Sequence, residues 1–229
     1  TFDGAGYHGV TIESADGATF SGDTFSNIAE DAVDLEYDDY PTVFVDGQPT
    51  VAAEDHVTFT SDTWVDDGGV WFASLQGQQV QENDVTITDN TLKGTPLTVQ
   101  IRGNSDVPND GLTIAGNTSD TTVGGGSIAS STNIGAGAVD LTYVDNVTME
   151  GNTVPLFDGT PTYYHDHPYQ TAVTAWGVAG FVLRRNDFSG ANAVLQADPR
   201  GWAGAPTSVT SDCGNSYGVG GGQVDQVCS

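Results

Sequence analysis

The stretch Val85-Thr86-Ile87-Thr88-Asp89-Asn90-Thr91-Leu92 alternates apolar and polar residues and then breaks at an Asn-Thr pair, and the pattern recurs along most of the chain. Further copies are Ala18-Thr19-Phe20 with Asp23-Thr24-Phe25, Val57-Thr58-Phe59 with Asp62-Thr63-Trp64, and Leu112-Thr113-Ile114 with Asn117-Thr118. Val147-Thr148-Met149 with Asn152-Thr153 and Phe181-Val182-Leu183 with Asn186-Asp187-Phe188 complete the series. Start-to-start spacings of 39, 28, 27, 35 and 34 residues fall in the range of solenoid repeats and are too irregular for a propeller. Period-two alternation puts the first and third residues of each copy inside and the threonine outside, which predicts one strand per copy.

A second strand is predicted after each corner: Val33-Asp34-Leu35-Glu36-Tyr37, Val70-Trp71-Phe72, Leu97-Thr98-Val99-Gln100-Ile101, Val139-Asp140-Leu141-Thr142-Tyr143, Val173-Thr174-Ala175-Trp176 and Ala193-Val194-Leu195. The Asx side chain between the two strands can bond backbone amides and tolerate the bend, so stacked copies align these residues in a ladder. This repeat, together with the acidic run Asp31-Ala32-Val33-Asp34-Leu35-Glu36, resembles secreted bacterial proteins of the pectate-lyase-like superfamily. The resemblance implies an all-β right-handed parallel β-helix of about seven coils over residues 1–229, with loop insertions and one domain. It does not fix an activity, because function lives in sites grafted onto such a fold.

The ends extend the pattern. Thr1-Phe2-Asp3-Gly4 matches Asp187-Phe188-Ser189-Gly190, and Val10-Thr11-Ile12-Glu13 reads as a second strand, so residues 1–17 form an incomplete first coil. The expectation is the C-terminal part of a longer helix, with earlier coils or another chain covering the open end. Residues 208–229 read as a cap: a degenerate copy with Asn215 at its corner, then a glycine-rich run to Cys228. Cys213 and Cys228 suit a disulfide closing a short loop in an oxidising compartment, hence a secreted or cell-surface protein, with free thiols as the alternative.

Charge narrows the partners. Five basic against thirty-one acidic residues give a net charge of −26, which disfavours nucleic acid and anionic membranes. No apolar run reaches membrane-spanning length.

Candidate chemistry sits on the second strands. Alternation predicts one outward column of Asp34, Trp71, Thr98, Asp140 and Thr174, and a second of Glu36, Ala73, Gln100, Thr142 and Trp176, with Arg102 just beyond. Aromatic rings stack on sugar faces and carboxylates supply acid or base groups, so the face suits a polysaccharide. A solvated acidic face with incidental aromatics accounts for the same residues. Two insertions overhang this face: residues 119–137, and residues 155–170 with Tyr163, Tyr164, His165 and His167 as further proton-transfer, metal-binding or contact groups. Asp38, Asp39, Asp66 and Asp67 lie in acidic loops that can recruit Ca²⁺, although no spaced calcium-loop pattern is present. Arg102 is the one cation placed to neutralise a uronate carboxylate, while Arg184 and Arg185 are expected to face solvent.

The sequence therefore predicts a carbohydrate-active β-helix, lyase-like or glycosidase-like. Its candidate catalytic residues are Asp34, Glu36, Asp140, Arg102, His165 and His167, with Trp71, Gln100, Trp176, Tyr163 and Tyr164 as substrate contacts. A non-catalytic glycan-binding, adhesive or spike-like module is the alternative. An ice-binding face built on Thr58, Thr60, Thr86 and Thr88 is a third, which Ser21, Ala115, Glu150 and Arg184 interrupt.

Overall fold

The computed structural model describes residues 1–6, 9–12, 16–28, 33–36, 42–45, 48–51, 54–65, 70–73, 82–93, 99–103, 108–119, 137–153, 162–164, 167–169, 171–188, 193–197, 209–211 and 214–217. Among them there is no helix, and the long sheets are built of parallel strands. Each long sheet takes one strand from nearly every repeat, and neighbours in the stack are successive repeats, as expected of a parallel β-solenoid.

The opening motif forms sheet 1, which stacks Thr19–Ser21, Thr58–Thr60, Glu82–Thr88, Asn109–Ala115, Val144–Glu150, Phe181–Arg184 and Val209–Ser211. The predicted second strands form sheet 3: Val10–Ile12, Val33–Glu36, Val70–Ala73, Val99–Arg102, Gly137–Thr142, Thr171–Trp176 and Ala193–Ala197. Between them the chain makes a third strand that sequence reading did not separate from the corner. Sheet 2 stacks Phe2–Asp3, Thr24–Ser26, Thr63–Val65, Thr91–Lys93 and Thr118–Ser119, and bridges through Thr153 continue it to Asp187–Phe188 and Ser216–Tyr217. These strands hold two or three residues, too few to display an alternation of their own.

The alternation works as read. Val85 and Ile87 are buried and Thr86 between them is half-exposed. Across rungs the inward residues of sheet 1 stack as Phe20, Phe59, Ile87, Ile114, Met149 and Leu183. Aromatic rings fill the first coils: Phe2 stacks on Phe25 at 4.8 Å, Phe20 on Phe59 at 4.9 Å, and Trp64 meets Phe25 edge-on at 6.1 Å.

The corner between sheets 1 and 2 explains the Asx-Thr signature. The residue before each Asx is left-handed at Gly22, Ser61, Asp89, Gly116, Gly151 and Arg185, which turns the chain from sheet 1 into sheet 2. The Asx side chain then turns into the core, where Asp62, Asn90, Asn117, Asn152, Asn186 and Asn215 are all buried. Asn117 is typical: its Nδ2 donates to Ile87 O and Asn152 Oδ1, both at 2.9 Å, and its Oδ1 receives Asn90 N at 3.1 Å. The ladder satisfies corner amides that would otherwise be buried without partners.

The insertions also contain structure. Thr42–Val45 pairs antiparallel with Gln48–Val51 inside the insertion over residues 38–55, and Thr162–Tyr164 pairs antiparallel with His167–Tyr169 inside that over residues 155–170.

Candidate functional site

Sheet 3 carries the predicted face, and its register corrects the predicted columns. Trp71 pairs with Asp34 on one side and Gln100 on the other, and Gln100 pairs with Asp140, which pairs with Thr174. The first row is thus Asp34, Trp71, Gln100, Asp140 and Thr174, with Gln100 where the sequence reading put Thr98. The second row is Glu36, Ala73, Arg102, Thr142 and Trp176, which brings Arg102 into the face instead of beyond it. The two-residue shift follows from Val99, not Leu97, standing opposite Val70 in the register. Shifts of two preserve the inward and outward sets, so hydrophobic alternation alone cannot detect them.

These rows alternate with buried positions. Val33, Val99, Val139 and Val173 are fully enclosed, as are Ile101, Leu141 and Ala175. The backbones of Asp34, Glu36, Trp71, Gln100, Arg102, Asp140 and Trp176 fix their rungs, while their side chains lie outside the described set. Asp34 and Asp140 stand three rungs apart, about 14 Å at about 4.8 Å per rung. Asp34 and Glu36 occupy alternate positions of one strand, about 6.6 Å apart along it.

An aromatic residue borders this face that sequence reading did not single out. Tyr143 follows Thr142 with a left-handed backbone (φ 50°) and is half-buried, its carbonyl accepting from Asn109 N at 3.0 Å. A Cβ on Gly177 would sit 2.5 Å from the Tyr143 ring, and one on Gly103 would sit 1.9 Å from the Tyr143 carbonyl oxygen. The tyrosine therefore lies between two glycines on neighbouring rungs. Once the register is known, that Gly-Tyr-Gly column is visible in the sequence.

The corner leading into sheet 1 forms an acidic edge with one imidazole in it. His56 Nδ1 lies 3.0 Å from Asp16 Oδ1 on the preceding coil, and Nε2 lies 3.3 Å from Asp84 Oδ2 on the following one. The hydrogen bond to Asp16 raises the imidazole above its ordinary range, and the charges of Asp16, Asp84 and Asp55 add to this. Asn83 Nδ2 donates to Asp55 at 2.9 Å and Asn146 Nδ2 to Asp110 at 2.6 Å, so side-chain amides satisfy carboxylates along the edge. Among the described residues no group of three or more His, Cys, Asp or Glu is placed to hold a metal ion.

Other predicted residues fall elsewhere. Tyr164 pairs with His167 and Tyr163 with Pro168 in the antiparallel hairpin, whose side chains lie outside the described set, as does His165 entirely. Asp38, Asp39, Asp66, Asp67, Cys213 and Cys228 are also outside the described residues. Arg184 and Arg185 do not simply face solvent: Arg184 Nε donates to Glu150 Oε2 at 2.6 Å, and Arg185 pairs with Glu150 Oε1. Glu150 sits one rung from Arg184 in the outward column that also carries Thr60 and Thr88, whose hydroxyls bond at 3.2 Å. Ala115 already breaks that threonine array one rung earlier, and the ion pair follows it.

Comparison with protein-family models, curated protein sequences and solved structures finds no match to this chain.

Proposed function

We propose that the chain is a secreted, right-handed parallel β-helix of about seven coils, of the pectate-lyase-like type, acting on or binding an extracellular polysaccharide through sheet 3. The observation that carries this reading is the register that stacks Asp34, Trp71, Gln100 and Asp140 in one row beside Glu36, Arg102 and Trp176 in the next. An indole flanked by carboxylate and amide positions offers a stacking platform with hydrogen-bonding groups on either side, the combination a sugar ring needs. Tyr143 extends the aromatic edge beside Thr142.

Hydrolysis by paired carboxylates needs them roughly 5 to 9.5 Å apart. Positions 34 and 36 meet that span; positions 34 and 140 do not. Asp34 and Glu36 are accordingly the proposed acid–base pair, with Arg102 available to a substrate carboxylate and Asp140 in a binding role. The separation of Asp140 also favours the second reading, a glycan-binding module without turnover. The test is a panel of acidic and neutral polysaccharides incubated with and without Ca²⁺. Unsaturated products absorbing in the ultraviolet identify a lyase, and new reducing ends identify a hydrolase. Binding without either product identifies a module, and neither binding nor product removes the carbohydrate reading.

A further inference from the structure

Five of the six buried side chains in the corner ladder are asparagines, and the sixth is Asp62. Asn90, Asn117, Asn152 and Asn186 repeat one arrangement: Oδ1 accepts the backbone N–H of the preceding corner, and Nδ2 donates to the next Oδ1 and to a carbonyl of the preceding coil. That carbonyl always lies three residues before the preceding corner: Phe59 for Asn90, Ile87 for Asn117, Ile114 for Asn152 and Met149 for Asn186.

Asp62 performs the acceptor half of this role. Its Oδ1 receives Asp23 N at 2.7 Å, and its own N–H reaches Asn90 Oδ1 at 2.9 Å. Its Oδ2 stands where the asparagines carry Nδ2. On the asparagine pattern that position would donate to Asn90 Oδ1 and to the Phe20 carbonyl; in Asp62 the oxygen there has no hydrogen-bond partner although the residue is 1% exposed. An ionised carboxylate would there set buried oxygen against oxygen with no hydrogen between them.

We propose that Asp62 is a carboxylic acid in the folded protein, its proton supplying the ladder hydrogen that the asparagines supply elsewhere, so that this rung is a pH-sensitive latch joining the first coils to the rest. The charged group facing it from the preceding coil is Asp23; from the following coil it meets the neutral Asn90 amide. Burial, and then the charge on Asp23, raise the carboxyl above 3.8, while amide donors of Asp23, Gly22 and Thr60 oppose them. A raised folded value means that the latch's stability is fully present below the unfolded value of 3.8 and is lost as pH rises through the folded one.

Asp62→Asn tests this, because it installs the missing amide without changing shape. The variant should melt on the order of 5 °C above wild type at about pH 8, and the gap should close towards about pH 4. A gap equal at both pH values, or a variant melting lower at alkaline pH, overturns the proposal. In the wild-type protein the Asp62 carboxyl ¹³C resonance should titrate above 3.8, and a midpoint at or below 3.8 overturns it independently.

Discussion

Asn117 Nδ2 donates to Asn152 Oδ1 at 2.9 Å while Asn117 Oδ1 accepts the side-chain amide of Asn90 at 3.0 Å, so one buried side chain joins three successive coils. Removing it strands Asn90 N–H and the Ile87 carbonyl together. Asn117→Ala should therefore lower unfolding stability by about 3 kcal/mol. Denaturant titration checks this, and a loss under about 0.5 kcal/mol would show that the ladder contributes little.

His56 ties three coils through Asp16 and Asp84. Its folded value is raised, so its contribution is fully present below 6.5 and is lost as pH rises through the folded value, above 6.5. An imidazole titration followed by NMR should place the His56 midpoint above 6.5, and Asp16→Asn should bring it down, since Asp16 is the largest cause. A midpoint unmoved by that substitution contradicts the assignment.

Gly103 and Gly177 leave space for Tyr143. Gly103→Ala drives a methyl into the Tyr143 carbonyl and should cost on the order of 3 kcal/mol. Gly177→Ala meets a left-handed backbone as well as the ring, with about 1–2 kcal/mol from the backbone alone. Thermal melts of both variants check this; unchanged midpoints would contradict the packing at that edge.

The alternation of Val85, Thr86 and Ile87 made sheet 1 legible, and Val33, Val139 and Val173 did the same for sheet 3, because period two reports which face is buried. The Asn corners were legible because Asx residues have a local chemical role. What stayed hidden followed from the same physics. Two-residue strands such as Thr118–Ser119 carry no period of their own. The pairing of Trp71 with Gln100 instead of Thr98 leaves the inward set unchanged, so no hydrophobic signal records it. Asp62 and Asn90 look alike as corner residues, and only their shared burial, which no local pattern records, makes a carboxyl and an amide unequal there. His56 gave no signal because Asp16 and Asp84 lie on other coils, 40 residues before it in the case of Asp16.

Glu150 is shared by Arg184 and Arg185, both of them partly exposed. Glu150→Gln should cost about 1 kcal/mol at low ionic strength and less at high salt, because such pairs are screened. Chemical denaturation of both proteins in urea at two salt concentrations checks it; a salt-independent loss would point to packing.

The proposed polysaccharide-binding role of sheet 3, with Trp71 between Asp34 and Gln100, is tested most directly by binding isotherms of wild type and Trp71→Ala on a glycan panel. The substitution should weaken binding at least about tenfold through lost ring stacking, with the melting temperature little changed. Wild-type binding retained in full by Trp71→Ala, or no binding to any glycan by either protein, would contradict it.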